Sequence, residues 1–541
     1  MSTTTEPDEA DASKGSARSR RVPARKGAAG KSPWGRLPWL VAGLALVLCG
    51  VGAFVVSTAY DEPSELGVLR PNLPVNDGAR NPLDISATNS PGLVRNPVDR
   101  ANLVVVSKID SPRYSCGVSV SFDGGGRWTQ TEIPVPPGVT GPCYAPDAVF
   151  GADGTLYLSF VTLTGRANSP DAVYFTMSSD GGKTLATPLR TPLGPRSFHT
   201  RLSADPKTPG RIYLTWVAAS GLGLYRFTEP GNPIRAIRSD DGGRNWTAPT
   251  RVSSSSRLRA IAPTPVVGPD GALNVLYLDL GDDELDYAGG HNGRGGPAYD
   301  GDWRLVLARS RDRGATWRES PVGAVKPAQR FIVFTPPFPS LAVDQRNGKL
   351  YAAFTDGRAG DADVSLWSLE PDGGRWKGPV RVNDTRRGDG TAQYLPRLAV
   401  TPSGRLDVVY YDRRGDRTNV LNDVSFQTSF DGGQTFRPHV QLSDKTFSSR
   451  VGFGADRGMA DLGGRLGLVS DDHRALAVWT DTRAGTRASA KQDLARGLVA
   501  FTDPARLSDG AKTLLRVAAL VLILLGVAVF AGLGLRHRRT A

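Results

Sequence analysis

The stretch Ser121-Phe122-Asp123-Gly124-Gly125-Gly126-Arg127-Trp128 decides the fold, because its pattern Ser-x-Asp-x-Gly-x-x-(Trp/Phe/Leu) recurs along the chain. Four near-copies occupy residues 178–185, 239–246, 310–317 and 429–436, and a degenerate copy at 372–376 lacks one spacer residue. Successive motif aspartates, counted from Asp123, are 57, 61, 71, 60 and 59 residues apart. This even spacing indicates one structural unit repeated along the chain.

Each copy of the motif has the residues of a tight hairpin turn. Ser and Asp side chains accept hydrogen bonds from nearby backbone N–H groups, and Gly adopts the positive φ that such turns need. We predict a structural role for the motif residues, which are Ser121, Asp123, Gly125, Trp128, Ser178, Asp180, Gly182, Ser239, Asp241, Gly243, Trp246, Ser310, Asp312, Gly314, Trp317, Asp372, Ser429, Asp431, Gly433 and Phe436.

A turn followed by an apolar, β-rich run precedes each motif. Alternating Leu156, Leu158 and Phe160 are typical of a strand, and 40 Pro and 63 Gly accompany the runs. A seventh run, 470–479, is followed by a closing strand at 494–501 instead of a motif. The sequence therefore predicts an all-β propeller of four-stranded blades over residues 84–503. Seven blades are favoured, and six remain the alternative if the first and seventh units combine.

These motifs resemble Asp-boxes, also called BNR repeats, of the sialidase-like β-propellers. The resemblance covers nearly all of the predicted propeller, but the residues that match are scaffold residues. In that family the boxes lie on the rim, away from the active site. The resemblance therefore implies a propeller fold and leaves the activity to be argued from other residues.

Two apolar stretches, 37–58 and 517–535, flank the predicted propeller and are long enough to cross a bilayer. Basic residues precede the first stretch and follow the second, as expected on the cytoplasmic side. We predict two transmembrane helices, both termini in the cytoplasm, and an extracytoplasmic propeller at a bacterial cell membrane. A cleaved signal peptide ending near Ser57-Thr58-Ala59 is the alternative for the first stretch, and a buried strand pair for the second.

The remaining segments have the composition of tails and linkers. Residues 1–36 form a predicted disordered, basic cytoplasmic tail, 59–83 and 504–516 are linkers, and 536–541 are a second basic tail. The net charge of the chain is +13, of which residues 1–36 contribute +4 and Arg536, Arg538 and Arg539 contribute +3. The propeller is thus only modestly basic, so no nucleic-acid partner is predicted, and the tails suit anionic lipid headgroups.

Three cysteines are present in the chain. Cys49 lies within the first apolar stretch, whereas Cys116 and Cys143 flank the first motif. An even pair outside the membrane predicts a disulfide between Cys116 and Cys143, with two free thiols as the alternative.

An acidic, glycine-rich insertion at 281–303 explains the 71-residue step between motifs. Its carboxylates, of which Asp282, Asp283 and Asp286 are the candidate ligands, are the oxygen donors that Ca²⁺ prefers. Their spacing does not match an EF-hand, and a solvated surface loop is the alternative. No other cofactor is predicted.

A third pattern, Asp-x-Arg, follows a strand in three successive units, at 356–358, 412–414 and 481–483. If these places converge on the propeller axis, Arg358, Arg414 and Arg483 would bind an anion, with Asp412 or Asp481 for proton transfer. Sialidases use three arginines to hold a carboxylate. The alternative is a structural pair, because an Asp recurs with each Arg.

A sialidase reading requires more than these arginines. The family implies an Arg-Ile-Pro-type motif, which is absent from this sequence, and a Tyr nucleophile assisted by Glu. Tyr410 and Tyr411 adjoin Asp412, but the candidate partners Glu319 and Glu370 lie near the motif turns.

The sequence therefore favours a membrane-tethered extracytoplasmic binding or scaffold module for envelope proteins or glycans. A sialidase-like glycoside hydrolase acting on extracellular glycans is the alternative, and a lyase or another hydrolase class is a third possibility.

Overall fold

The computed structural model describes residues 37–59, 66–136, 138–165, 168–221, 231–283, 299, 301–327, 338–359, 361–452, 462–502 and 509–538. They belong to two compact units, Met1–Asp61 with Pro504–Ala541, and Glu62–Asp503. Each unit is described by itself. The predicted tail 1–36 lies outside the described residues.

In its described residues, the larger unit contains 29 strands in seven antiparallel sheets, which we call blades one to seven. The first strand along the chain, β1 (Leu66–Pro74), belongs to blade seven. Blade one contains β2 (Thr88–Arg95), β3 (Leu103–Ile109), β4 (Ser115–Ser121) and β5 (Thr129–Gln130). Blade two contains β6 (Cys143–Phe150), β7 (Leu156–Thr164), β8 (Ser169–Ser178) and β9 (Leu189–Arg190).

The next two blades repeat this order. Blade three contains β10 (Ser197–Ala204), β11 (Ile212–Ala218), β12 (Ile234–Ser239) and β13 (Thr250–Arg251). Blade four contains β14 (Ala260–Val267), β15 (Leu273–Asp279), β16 (Trp303–Ser310) and β17 (Arg318–Val325).

The last three blades complete the unit. Blade five contains β18 (Ser340–Val343), β19 (Leu350–Asp356), β20 (Asp363–Leu369) and β21 (Lys377–Arg381). Blade six contains β22 (Gln393–Val400), β23 (Leu406–Asp412), β24 (Leu421–Ser429), β25 (Val440–Gln441) and the short β26 (Phe447–Ser448), which pairs with β24. Blade seven contains β27 (Gly467–Ser470), β28 (Arg474–Asp481), β29 (Asp493–Phe501) and β1.

The first strand of every blade contacts the first strand of the next, and β27 of blade seven contacts β2 of blade one. The seven blades therefore close a ring around these inner strands. The all-β, four-stranded, seven-bladed prediction is confirmed, and the six-bladed alternative is wrong. Because neighbouring strands are antiparallel, the first-to-second and third-to-fourth turns share one face of the ring. We call it the motif face, and the other the opposite face.

Strand β1 closes the ring by pairing with β29 in antiparallel register, for example Val68 with Val499. The predicted closing strand at 494–501 corresponds to β29, but it is not the outermost strand of its blade. The prediction that 59–83 is only a linker is wrong, because β1 and a short 3-10 turn at Asp77–Arg80 lie within it. A strand that pairs with a partner more than 400 residues away leaves no local sequence signal.

Both faces of the blades are buried, as β7 shows. Leu156, Leu158 and Phe160 pack in one cluster with valines of blade one, Val104, Val118 and Val120. The intervening Tyr157 and Val161 pack with blade three. Continuous apolar runs are expected for strands that are covered on both sides.

The five full motifs form the turns between the third and fourth strands of their blades. In each, the Ser Oγ donates to the Asp Oδ1 at 2.6–2.8 Å. The Gly N–H four residues after the Ser donates to the Ser Oγ at 2.7–2.9 Å. Asp Oδ1 accepts the N–H four residues further on at 2.9–3.0 Å. The two side chains thus accept hydrogen bonds from backbone N–H groups within the turn.

Gly243 shows why the motif needs its glycine. Its φ is +87°, and an added Cβ would lie 2.1 Å from the ring of Phe175 in the preceding blade. Trp246 of the same motif packs edge-on against Phe175, with ring centroids 5.3 Å apart. The motif therefore joins neighbouring blades as well as two strands of its own blade.

The described part of the smaller unit contains two helices, α1 (Leu37–Ala59) and α2 (Asp509–Arg538), both long and apolar enough to span a membrane. An added Cβ at Gly50 would lie 2.8 Å from the Ala519 carbonyl oxygen, and one at Gly526 would lie 2.8 Å from that of Gly43. Gly43, near the start of α1, lies beside Gly526, and Gly50, further along α1, lies beside the earlier residue Ala519 of α2, so the helices are antiparallel. The predicted linker 504–516 is wrong from residue 509, where α2 begins.

A disulfide joins Cys116 on β4 to Cys143 on β6, with a Cα–Cα distance of 5.6 Å. The bridge ties the third strand of blade one to the inner strand of blade two. Both residues pack at the edge of the apolar cluster between these blades.

Replacing Cys116 and Cys143 by Ser is expected to lower the free energy of unfolding. The bridge spans 27 residues, and loop-closure entropy for that length corresponds to about 3.5 kcal/mol. Urea unfolding of the full chain in detergent, followed by tryptophan fluorescence, measures the change. Cys49→Ser is the matched control and should leave the midpoint unchanged. Equal midpoints for all three chains would contradict the expectation.

Candidate functional site

The Asp-x-Arg segments follow β19, β23 and β28, so they lie on the opposite face of the ring. Each Arg turns back to its own Asp: Arg358 to Asp356 at 2.5 Å, Arg414 to Asp412 at 2.5 Å and Arg483 to Asp481 at 2.6 Å. The carboxylates of all three pairs are buried.

Each of these arginines also reaches the preceding blade. Arg358 donates to the Ala324 carbonyl on β17, Arg414 pairs with Asp384 at 2.7 Å beyond β21, and Arg483 pairs with Asp444 beyond β25. The three guanidinium groups therefore occupy three separate blade junctions, directed outward. The structure does not bring Arg358, Arg414 and Arg483 together, because second strands lie one strand away from the axis.

The candidate acids are held within the same junctions. Asp412 accepts hydrogen bonds from Ser425 at 2.7 Å and Gln393 at 3.2 Å, in addition to Arg414. Asp481 accepts the Arg483 N–H at 2.9 Å besides the ion pair. These contacts hold both side chains at the ends of strands β23 and β28.

The tyrosines near Asp412 are fully buried. Burial raises the pKa of Tyr410 and of Tyr411 well above the usual range. Tyr277 on β15 donates a hydrogen bond to Glu319 on β17. Burial, and then this hydrogen bond, raises the pKa of Tyr277. A nucleophilic phenolate needs the reverse shift. Glu370 pairs with Lys349 at 3.1 Å.

The candidate calcium ligands are only partly described. Asp283 accepts the Trp303 indole N–H at 2.8 Å, and the Asp282 N–H donates to the Tyr299 hydroxyl at 3.3 Å. Asp286 lies outside the described residues. Within the described part of the chain, no group of three or more metal-ligating side chains is found.

The axis of the ring holds a set of residues that the motif analysis missed. The inner strands of five blades contain a residue with positive φ and a register shift, at Ser90, Ala145, His199, Ala262 and Leu395. The second residue after each of these is Gly92, Asp147, Arg201, Thr264 or Arg397, and Arg465 follows Gly463 in the same way. We call these six residues the axial ring, because they come from six blades and line one cavity.

A sequence signal for the axial ring does exist. A Pro directly precedes the ring position at Gly92, Asp147, Thr264 and Arg397. Proline restricts the residue before it and marks a break in regular pairing. The signal becomes informative only when the blades are superimposed, since no single Ala-Pro-Asp or Leu-Pro-Arg tripeptide is unusual.

Charged side chains dominate the axial ring. Asp147 pairs with Arg201 at 2.9 Å and with Arg465 at 2.8 Å. Arg465 also donates to the Ser90 carbonyl at 3.0 Å, which anchors it to blade one. Burial, followed by repulsion from Arg201, lowers the pKa of Arg397 and Arg465 to about 10. Both arginines therefore stay charged at neutral pH.

Phe338 covers the axial ring on the side that is directed toward the opposite face of the propeller. Its aromatic ring lies 4.8 Å from that of His199 and 5.1 Å from the Arg201 guanidinium carbon. Its N–H donates to the Gly464 carbonyl at 3.3 Å. Burial, then the nearby Arg201, lowers the pKa of His199 to about 3, so this imidazole is neutral and accepts the Ala262 N–H.

Neither a protein-family model nor a curated protein matches this sequence. Solved structures that resemble it include a protein of unknown function from Dyadobacter fermentans, at 14% identity and TM-score 0.44, covering 82% of this chain and 99% of that one. The Hadza microbial sialidase Hz136 is 16% identical with a TM-score of 0.40, covering 73% of each chain. YCF48 bound to D1 peptide is 13% identical with a TM-score of 0.39, covering 82% and 97%. Likenesses this distant carry no functional argument.

The Arg414 junction yields a pH-dependent expectation. Burial by itself would raise the pKa of Asp384, but hydrogen bonds from the His439 N–H, Arg414 and the His439 ring lower it to about 2. An unfolded Asp has a pKa of about 3.9, so the stabilisation is complete above that value and is lost as pH falls through about 2.

Asp384→Asn is therefore expected to destabilise the protein at pH 6. The loss is only about 1 kcal/mol because the pair with Arg414 is partly exposed, and it becomes smaller as pH approaches 2. Thermal unfolding at pH 6, 4 and 2 measures the difference from the unmodified chain. Asp171→Asn, at an exposed position of β8, is the control and should show little difference at any pH. A difference for Asp384→Asn that stays constant from pH 6 to 2 would refute this account.

Proposed function

We propose that this protein is a membrane-tethered, extracytoplasmic binding module that presents a rigid propeller to envelope proteins or glycans. The observation that supports this proposal is that the arginine of each Asp-x-Arg segment contacts the preceding blade and so connects two blades. Among the described residues these acids and arginines are engaged with one another at junctions and are not gathered around a space for a substrate.

The two apolar helices support the proposal that the protein is tethered to a membrane. Because α1 and α2 are antiparallel, the start of α1 and the end of α2 lie at the same end of the pair. The sequence places basic residues next to both, at Arg36 and at Arg536, Arg538 and Arg539. Positive charge on the cytoplasmic side then puts both termini inside and the propeller outside.

The ring suits recognition because its shape does not depend on a partner. Closure by β1 leaves no open blade, and the loops of the opposite face stand on strands that are covered on both sides. Binding residues are commonly found on loops that a rigid scaffold positions. The alternative, a sialidase-like hydrolase, requires an acid and a nucleophile that the junctions described above do not supply.

Orientation is tested by labelling with a membrane-impermeant maleimide, in chains that carry Cys49→Ser. In intact cells Asp99→Cys, in the propeller, should be labelled, whereas Ser16→Cys and Ala541→Cys should be labelled only after permeabilisation. Labelling of either terminus in intact cells would contradict the proposed topology. Loss of an N-terminal tag from the mature chain would show that the first stretch is cleaved.

Activity is tested on the full chain in detergent, with fluorogenic sialosides and other fluorogenic glycosides, in the presence of Ca²⁺ or of a chelator. We expect no turnover above that of the heat-unfolded chain. A photoreactive residue at exposed Arg387 on the opposite face should cross-link one envelope component saturably, whereas one at exposed Leu189 on outer strand β9 should not. Turnover that Arg414→Ala abolishes without unfolding would establish the hydrolase instead.

A further inference from the structure

The axial cavity is lined by both charged and apolar side chains. Its volume is about 260 Å³, and its lining includes the axial ring and the valines Val94, Val149, Val266 and Val343 from four blades. Pro206 and Gln345, which follow the ends of β10 and β18, also line it, so it extends toward the motif face. At the other end Phe338 lies over Arg201.

The ionisable side chains that line the cavity do not balance in charge. They are Arg201, Arg397, Arg465 and Asp147, which leaves two positive charges uncompensated among the described lining residues. Asp147 is shared by Arg201 and Arg465, and it attracts Arg397 without forming an ion pair with it. The Nε atoms of Arg201 and Arg397 are buried without a hydrogen-bond partner.

Such an arrangement is costly unless an anion completes it. A half-buried charge without an ion pair is unfavourable in a protein, and replacement by an apolar group relieves that cost. Guanidinium groups are planar donors that match the two oxygens of a carboxylate. The four valines next to them would exclude water from an apolar body attached to that carboxylate.

We propose that the axial cavity is a binding site for a small organic carboxylate. Arg397 and the free Nε of Arg201 hold the carboxylate, and the valines hold the apolar part. The cavity volume of about 260 Å³ is just below the range for small-molecule pockets, which is about 300–1,000 Å³, so the ligand is small. The mouth is on the motif face, the side away from the active site that the family resemblance implies. The site does not depend on the binding of an envelope protein or glycan.

The test uses calorimetric titration of the full chain in detergent with hexanoate and benzoate. The neutral amides hexanamide and benzamide are matched controls, and inorganic phosphate probes for a simple oxyanion site. We expect saturable binding of the carboxylates and none of the amides. Arg397→Met should weaken carboxylate binding at least about tenfold, as loss of one charge-assisted contact implies. Arg127→Met, at an exposed position on the motif face, should leave it unchanged.

A second measurement separates binding from folding. Without ligand, Arg397→Met should unfold at the same temperature as the unmodified chain or higher, because it removes a half-buried charge that Arg201 repels more strongly than Asp147 attracts it. A large loss of stability would mean that Arg397 is structural and would overturn the proposal. It would equally be overturned if no carboxylate bound saturably, if phosphate bound more tightly than both carboxylates, or if Arg397→Met bound them unchanged.

Discussion

Pairing of β1 with β29 is the contact on which the rest of the structure depends. Every blade is apolar on both faces, so each must be covered by a neighbour, and an open row would leave blades one and seven exposed. Completing the last blade with the first strand of the chain locks the ring. The axial cavity, the blade junctions and the two faces exist only because the ring is closed.

Two kinds of polar device hold the blades in that ring, on opposite faces. On the motif face, Ser and Asp side chains accept hydrogen bonds from backbone N–H groups of each motif turn. A glycine of the motif leaves room for a side chain of the neighbouring blade, as Gly243 does for Phe175. On the opposite face, Asp–Arg pairs connect a second strand to the outer strand of the blade before it. The motif recurs in five blades and the Asp–Arg pair at three junctions because these places pose similar packing problems, and recurrence of this kind reflects architecture before function.

The sequence is most informative where a feature is local and repeated. Motif spacing predicts the four-stranded blades and favours seven, and the length and flanking charge of the apolar stretches predict α1 and α2. It is misleading at Arg358, Arg414 and Arg483, since matching places in a repeat converge on the axis only if they lie on inner strands. It does not group Arg201, Arg397 and Arg465, because a proline precedes only Arg397 among the three and they meet only around the axis.

By itself, then, the sequence determined the repeat unit, the turn chemistry and the two helices, because each of these arises from contacts within a few residues. Only the tertiary structure decided that the ring closes through β1, that the Asp–Arg pairs point outward and that two arginines share one aspartate beside a third arginine at the axis. The contacts between blades that decide these points join residues 30 to more than 400 positions apart. Their energy depends on the closed ring and not on the local pattern around any of them.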